Sequence, residues 1–395
     1  MRNKWSRRDF VKSAGKTAAI VGVGRKALAV PSSPVSVARC TTYEPRQLTD
    51  ILAVMFDQIG GIGSLAKGKT IGIKINMTGV AVHRCGHRPI EETTWTHPNV
   101  VAATMHLLDK AGARRIRILE SPWKSGEPLE EVMYKSGWDP AEFTRAAARV
   151  ELENTNLLGA GRKYHRVTVP HGGFLFPAFD LNHSYVDCDS FISIAKLKEH
   201  HTTGITLAMK NCFGITPCTI YGDAAGEDEP SLIPTAGRGQ VIHQGARGPS
   251  RSAPQEVDPD SPREGEYRVP RCIVDLAAAR PIDLSIIDGI TAQAVNLGTR
   301  GVIPTSPGLL AAGKNPVSTD SVGAAAMGFD PMADRGQTPF EYCDSTLRLA
   351  EDAGLGIRDL NKIEMVGTPV REVVCDYRAI RKAHGFPPPR APRRR

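Results

Sequence analysis

No pair of cysteines in this chain has C-x-x-C spacing, no stretch reaches about 18 uninterrupted apolar residues, and no segment repeats elsewhere. Each absence excludes something. The eight cysteines, at 40, 85, 188, 212, 218, 272, 343 and 375, lack the ladder of a ferredoxin-type cluster or a zinc knuckle. Without a long apolar run, no stable membrane span is expected in the mature chain. Charge excess is also missing where it would matter. The formal net charge is +8, but residues 1–29 carry +7 of it, and four arginines (390, 393, 394, 395) crowd the end. The body between is neutral to slightly acidic, which argues against nucleic acid as a partner. Residues 371–395 read as a basic, disordered tail.

Ser6 to Lys12, SRRDFVK, resembles the twin-arginine (Tat) export motif. A weakly apolar stretch to Gly24 follows, then a small-residue cleavage site at Ala27-Leu28-Ala29. Residues 1–29 are therefore expected to be a signal peptide, with the Tat translocase as a partner during export. The mature protein is expected outside the cytoplasm, periplasmic or extracellular. There the cysteines meet an oxidising space, and Cys212 and Cys218 are close enough in sequence to pair.

Two motifs mislead. IVGVGRKA (20–27) matches a dinucleotide fingerprint, with Glu44 at a ribose-contact distance, but it lies inside the export signal. GSLAKGKT (63–70) matches a phosphate loop. There the helix should follow the loop; here a helical run (48–59) precedes it and a strand, TIGIKIN, follows. HRCGH (83–87), with Glu91, Glu92 and His97, offers metal ligands at a spacing that fits no standard site.

The rest alternates strand and helix. Strands are expected at 70–76, 115–121, 191–197, 282–289, 308–313 and 363–367. Helices are expected at 96–113 (capped by Thr96), 129–136, 316–327 and from Pro339 to Ala353. This pattern predicts an α/β fold: a mainly parallel sheet flanked by helices in Rossmann-like layers, over residues 30–370. Residues 222–270, rich in Gly, Pro and charge, interrupt it and are expected to be a surface loop rather than a lid.

Ligands of parallel sheets sit outside the carboxyl ends of the strands. Those ends carry Lys74 and Asn76; Glu120; Lys196, Lys198 and His200; Asp288; and Lys314 with Asn315. A helix over 202–214 is expected to add a stripe of Thr202, Thr206 and Lys210, followed by Asn211. Lysines and a helix N-terminus together suit an anion. Asp320, in the first turns of its own helix, is a further candidate.

The blocks IKIN, THPNVVAATMHLLDKAGARRIRILES, FISIAKLKEHHTTGITLAMKNCFGI, IDLSIIDGI and AAGKNPVSTDSVGAAAMGFDP resemble, in order, those of domain-of-unknown-function family 362, over residues 65–370. The resemblance implies Lys74, Asn76, Lys196, Lys198, His200, Lys210, Asn211, Asp288 and Asp320 as motif residues. Some relatives carry an appended ferredoxin module. This chain lacks the cysteine ladder, so no iron–sulfur cluster is implied, and the cofactor is left unknown.

The expectation is an exported enzyme acting on a small anionic substrate, a carboxylate or phosphate. The catalytic candidates are His200, Lys210 and Asp288. The ligand-binding candidates are Lys74, Asn76, Glu120, Lys196, Lys198, Thr206, Asn211 and Asp320, and no metal is assigned. A non-enzymatic binder of a small ligand or cofactor, or a periplasmic redox protein, are the alternatives.

Overall fold

The computed structural model describes residues 33–79, 88–158, 163–295 and 302–385. The export motif and HRCGH lie outside them. Twelve strands are described: β1 (Val35–Arg39), β2 (Thr70–Lys74), β3 (Arg115–Glu120), β4 (Val150–Asn154), β5 (Tyr164–Thr168), β6 (Ala178–Asn182), β7 (Ser190–His200), β8 (Gly204–Thr206), β9 (Leu284–Ala294), β10 (Ile303–Thr305), β11 (Leu309–Gly313) and β12 (Met365–Gly367). Ten form one sheet along the order β12-β1-β11-β9-β7-β2-β3-β4, with β8 hanging on β7 and β10 on β9; β5 and β6 form a separate pair. Strands β9, β7, β2, β3 and β4 run parallel, as the strand–helix alternation predicts.

The sheet separates two apolar layers, so the central strands are buried on both faces. On one side, α1 (Pro45–Gln58) packs against α2 (Pro98–Lys110) through Leu48, Leu52, Met55 and Phe56. Glu44 caps α1 by accepting from the backbone N–H of Arg46 and Gln47, which gives that carboxylate a structural use. α2 is capped by His97, whose Nδ1 accepts from Asn99, and not by Thr96. Thr96 instead donates to the carbonyl of Ile194 across the sheet. α3 (Leu129–Ser136) ends at Gly137, whose φ of 89° is left-handed as a helix stop requires.

Four further expectations are corrected. Residues 202–214 do not form one helix. Thr202 and Thr203 turn the chain, Gly204 sits at φ 69°, and β8 folds back antiparallel on β7. β-branched threonines beside a glycine favour this hairpin over a helix. Only Ala208–Asn211 (α4) is helical, followed by a 3-10 turn.

Second, β11 runs antiparallel to both β9 and β1, so its carboxyl end faces the opposite edge of the sheet. There Asn315 caps α6 (Pro316–Ala326), which follows the long helix α5 (Gly265–Ala279) in the chain, and Lys314 is removed from the candidate rim. Third, Pro339 opens no helix: α7 spans Thr346–Asp352 under a Ser345 cap. Fourth, residues 371–385 are not a solvated tail. α8 (Tyr377–Ala383) buries Tyr377, and Arg381 pairs with Glu199 at 2.7 Å.

Candidate functional site

β7 is the axis of the site. Its apolar sequence continues as a strand through Lys196, Lys198 and His200, three alternate positions of one face. The lysines are therefore part of the buried strand, with 0% and 1% of their surface exposed. Burying an ammonium is costly unless partners are supplied. The structure supplies two different sets. The pairing with β9 shifts register between Lys196 and Lys198, and the segment around Thr94–His97 separates the two side chains.

Lys196 meets Asp288 at 2.9 Å, with both side chains fully buried. Asp288 also accepts from the Tyr43 hydroxyl and the His97 backbone N–H, and Tyr43 stacks on the His97 ring at 3.7 Å. Burial beside Lys196 pushes the His97 imidazole down to about 4, although Asp288 opposes this. This closed network ties the segments that lead into α1 and α2 to the β7–β9 strand pair.

Lys198 lies on the other side of that segment. It donates to the side-chain oxygen of Asn76 (2.8 Å) and the carbonyl of Thr94 (2.7 Å). It opens onto a cavity of about 920 Å³ at the carboxyl ends of β2, β3 and β7. Lys74, at the end of β2, lies 2.7 Å from the Glu120 carboxylate at the end of β3, and also reaches Asn211. Asn211 anchors the floor. Its amide donates to the Lys74 carbonyl, Ser193 and Ile194, and its oxygen accepts from Asn76. Gly214 is needed here, because a β-carbon would lie 2.9 Å from the Lys74 ammonium.

Lys210 extends from α4 into the cavity with its ammonium 4.5 Å from the centre of the Phe213 ring. Among the described residues, no carboxylate lies within ion-pair distance of it. Arg238 enters from the 222–270 segment, buried, with its guanidinium held by the carbonyls of Thr216 and Ser121 and no described carboxylate partner. Thr206 lines the same space, and its hydroxyl is buried with no partner among the described residues. Glu120 is the one fully buried carboxylate among the described lining residues.

The charges report on one another. Burial pushes the Lys198 ammonium well below its usual range, and Lys210, Lys196 and Lys74 push it further. Burial brings Lys210 down to about 8, with Arg238 and Lys74 contributing. Burial and Lys210 hold His200 well below the usual imidazole range, and bring His243 to about 4. Burial is the main cause of each shift and the clustered cations add to it, while Asp223 opposes the shift at His243; Glu264 and Glu266 also line the cavity, less deeply buried than Glu120.

The sequence-derived candidates therefore divide. Lys74, Asn76, Glu120, Lys198, His200, Thr206, Lys210 and Asn211 line one cavity. Lys196 and Asp288 form the separate buried pair. Asp320 caps α4 by accepting from the N–H groups of Ala208 and Met209, at 2.8 and 2.9 Å, so it positions Lys210 and Asn211 without facing the cavity. Arg238 and His243 were not foreseen. The 222–270 segment forms a wall of the cavity, contributing Asp223, Arg238, His243 and Arg263, where a surface loop had been expected. The one available signal was the apolar pair in GRGQVIH, which buries Val241 and Ile242 inside an otherwise polar run.

No three His, Cys, Asp or Glu side chains converge as a metal site among the described residues. The seven described cysteines are free thiols, Cys212 and Cys218 included. No helix of the described residues is long and apolar enough to cross a membrane.

Fold and site together define an α/β protein with a cation-lined cavity at the carboxyl edge of a mostly parallel sheet. Residues 71–325 match the family described as Domain of unknown function (DUF362), and the chain belongs to that family. A thylakoid-associated protein of Synechocystis sp. is 26% identical over 298 residues, covering 75% of each chain. Among solved structures, a Thermotoga maritima protein aligns over 67% of this chain and 53% of its own, at 14% identity and a TM-score of 0.32. The lactate racemase apoprotein of Thermoanaerobacterium thermosaccharolyticum aligns over 69% and 54%, at 14% identity and a TM-score of 0.33. This chain spans about half the length of those two solved proteins.

Proposed function

We propose that the cavity binds a small anion, a carboxylate or phosphate, and that the protein is an enzyme acting on it. One observation carries this reading. Lys74, Lys198, Lys210 and Arg238 line the same space against a single fully buried carboxylate, and neither Lys210 nor Arg238 has a described carboxylate partner. Isolated cations in a buried site are costly, and a bound anion offsets that cost. Lys210 and Arg238 would neutralise the ligand. Lys198, Asn76 and Thr206 would orient it, and the Lys74–Glu120 pair would hold the floor. The histidines of the cavity supply neutral imidazoles for proton chemistry.

The test is thermal stabilisation by a panel of phosphates and carboxylates, since a ligand of the native state raises apparent stability. A shift of several degrees that is lost in Lys210→Met supports the reading. No shift with any member of the panel overturns it. Native mass spectrometry of the purified protein would name a co-purified anion directly.

We propose further that residues 1–29 export the chain through the twin-arginine route, on the strength of SRRDFVK. Replacement of Arg7 and Arg8 by lysines should leave the precursor uncleaved in the cytoplasm. A precursor processed as before would exclude this route.

A further inference from the structure

His200 and His243 both line the cavity, yet the protein holds them by the same ring nitrogen in opposite ways. The Nδ1 of His200 lies 3.2 Å from the backbone N–H of Thr202 and 2.9 Å from the Thr202 hydroxyl. A backbone N–H can only donate, so this Nδ1 is unprotonated. In the neutral ring the proton then sits on Nε2. The Nδ1 of His243 lies 3.2 Å from the carbonyl of Arg238. A carbonyl can only accept, so this Nδ1 carries the proton and Nε2 keeps its lone pair. Burial and the neighbouring cations keep both rings neutral. Neither Nε2 has a hydrogen-bond partner among the described residues. The cavity thus meets an N–H from one imidazole and a lone pair from the other.

We infer that His243, not His200, is the proton acceptor of this site, and that His200 is a fixed hydrogen-bond donor to the oxyanion that forms when the proton leaves. The inference rests on the anion-binding reading above. It also names a substrate class: an anion with a carbonyl or carboxyl group and a hydrogen acidified by it. In the step, the substrate C–H or O–H bond breaks and an N–H bond forms at His243 Nε2. The released electron pair moves onto the carbonyl oxygen, which accepts from His200 Nε2–H and faces the Lys210 ammonium. The proton returns from His243 Nε2 to the product, so no other reactant is consumed. His200 gives up no proton, because a neutral imidazole that lost its last one would become an anion. Its task is electrostatic, and a neutral ring suits it. The anion itself raises the basicity of His243 by offsetting the surrounding positive charge.

The experiment uses ¹⁵N-histidine-labelled full-length protein, with inorganic phosphate as the probe. Free protein at pH 7 should show a neutral Nδ1–H ring for His243 and a neutral Nε2–H ring for His200. Saturating phosphate should move His243 toward the imidazolium pattern and leave His200 an Nε2–H donor. His243→Asn keeps a donor for the Arg238 carbonyl and deletes the lone pair. It should still bind phosphate, with proton uptake on binding, read by calorimetry in buffers of different ionisation enthalpy, reduced by the share that belongs to His243; any uptake by Lys198 and Lys210 remains. Identical tautomers, an imidazolium in the free protein, or protonation of His200 in place of His243 would overturn the assignment. Opposite tautomers in a protein that binds neither phosphate nor any carboxylate would leave the two tautomers standing but overturn the anion reading, and the proton-acceptor role of His243 with it.

Discussion

The ammonium of Lys74 and the carboxylate of Glu120 meet at 2.7 Å on the ends of adjacent parallel strands, with both side chains almost wholly buried. Glu120 also accepts from the N–H groups of Met77 and Ser121. Removing one partner leaves an uncompensated buried charge, which costs about 3–5 kcal/mol. Lys74→Met should therefore lower unfolding free energy by that order in denaturant titration. The double variant with Glu120→Gln should recover part of the loss. Gly214→Ala should act in the same direction, because its new methyl group would displace the ammonium.

Lys196 and Lys198 are two residues apart and predict opposite phenotypes. Lys196→Met breaks the closed pair with Asp288, so it should destabilise the fold while leaving unchanged the folded protein's affinity for sulfate, used as a stand-in for phosphate that keeps its charge across the pH range. Lys198→Met faces the cavity and should weaken sulfate binding by at least about tenfold, ~1.4 kcal/mol. Isothermal titration and thermal melts on the two variants separate the effects.

Lys210 makes anion binding depend on pH. Its ammonium is brought down to about 8 from an ordinary 10.5. Sulfate affinity should fall as pH rises through about 8, because sulfate keeps its charge while Lys210 loses its own. Stability of the free protein should move the other way. Between about 8 and 10.5 the unfolded chain binds more protons at this position, so this contribution to stability rises with pH across that window. Lys210→Met should flatten both trends.

Asp320 has the opposite sign. Burial raises its carboxyl from 3.8 to about 7, although two backbone N–H groups oppose the shift. The folded state then binds more protons between those values. The stabilising contribution is full below 3.8 and is lost as pH rises through about 7. His243, held down at about 4 from an ordinary 6.5, contributes a rise with pH over part of the same range. Asp320→Asn should steepen the rise expected from His243 by removing the opposing group. It should also loosen α4 and weaken anion binding, since Asp320 caps the helix that carries Lys210.

Arg238 fastens the 222–270 segment to the strand ends through carbonyls of Thr216 and Ser121. Arg238→Leu removes these charge-assisted bonds and one cation of the cavity. Anion affinity should fall, and limited proteolysis should cut faster between residues 226 and 236. Unchanged cleavage would mean that the segment is held by other contacts.

The strands of the sheet and the carboxyl rim were legible because apolar runs such as FISIAKL and SIID have the length and composition of doubly buried strands. Their direction was not. Nothing in GLLAAG says that β11 runs against its neighbours, so Lys314 and Asn315 were assigned to the wrong edge. Thr202, Thr206 and Lys210 were recognised as one group through a helix that does not exist. The hairpin and α4 bring the same three side chains to the cavity by another route. Which lysine faces a ligand and which an internal carboxylate depends on a register shift between β7 and β9, and such a shift leaves no mark in either strand alone. Arg238 and His243 were hidden because their segment has no periodicity to place it.

β1 begins at Val35, yet it hydrogen-bonds to β11 at Leu309–Gly313 and to β12 at Met365–Gly367. A ribosome releases these partners long after β1 itself. β1 must therefore wait for strands far along the chain, so closing this side of the sheet is a slow, long-range step. The strands β2, β3 and β7 that carry the cavity can pair before it.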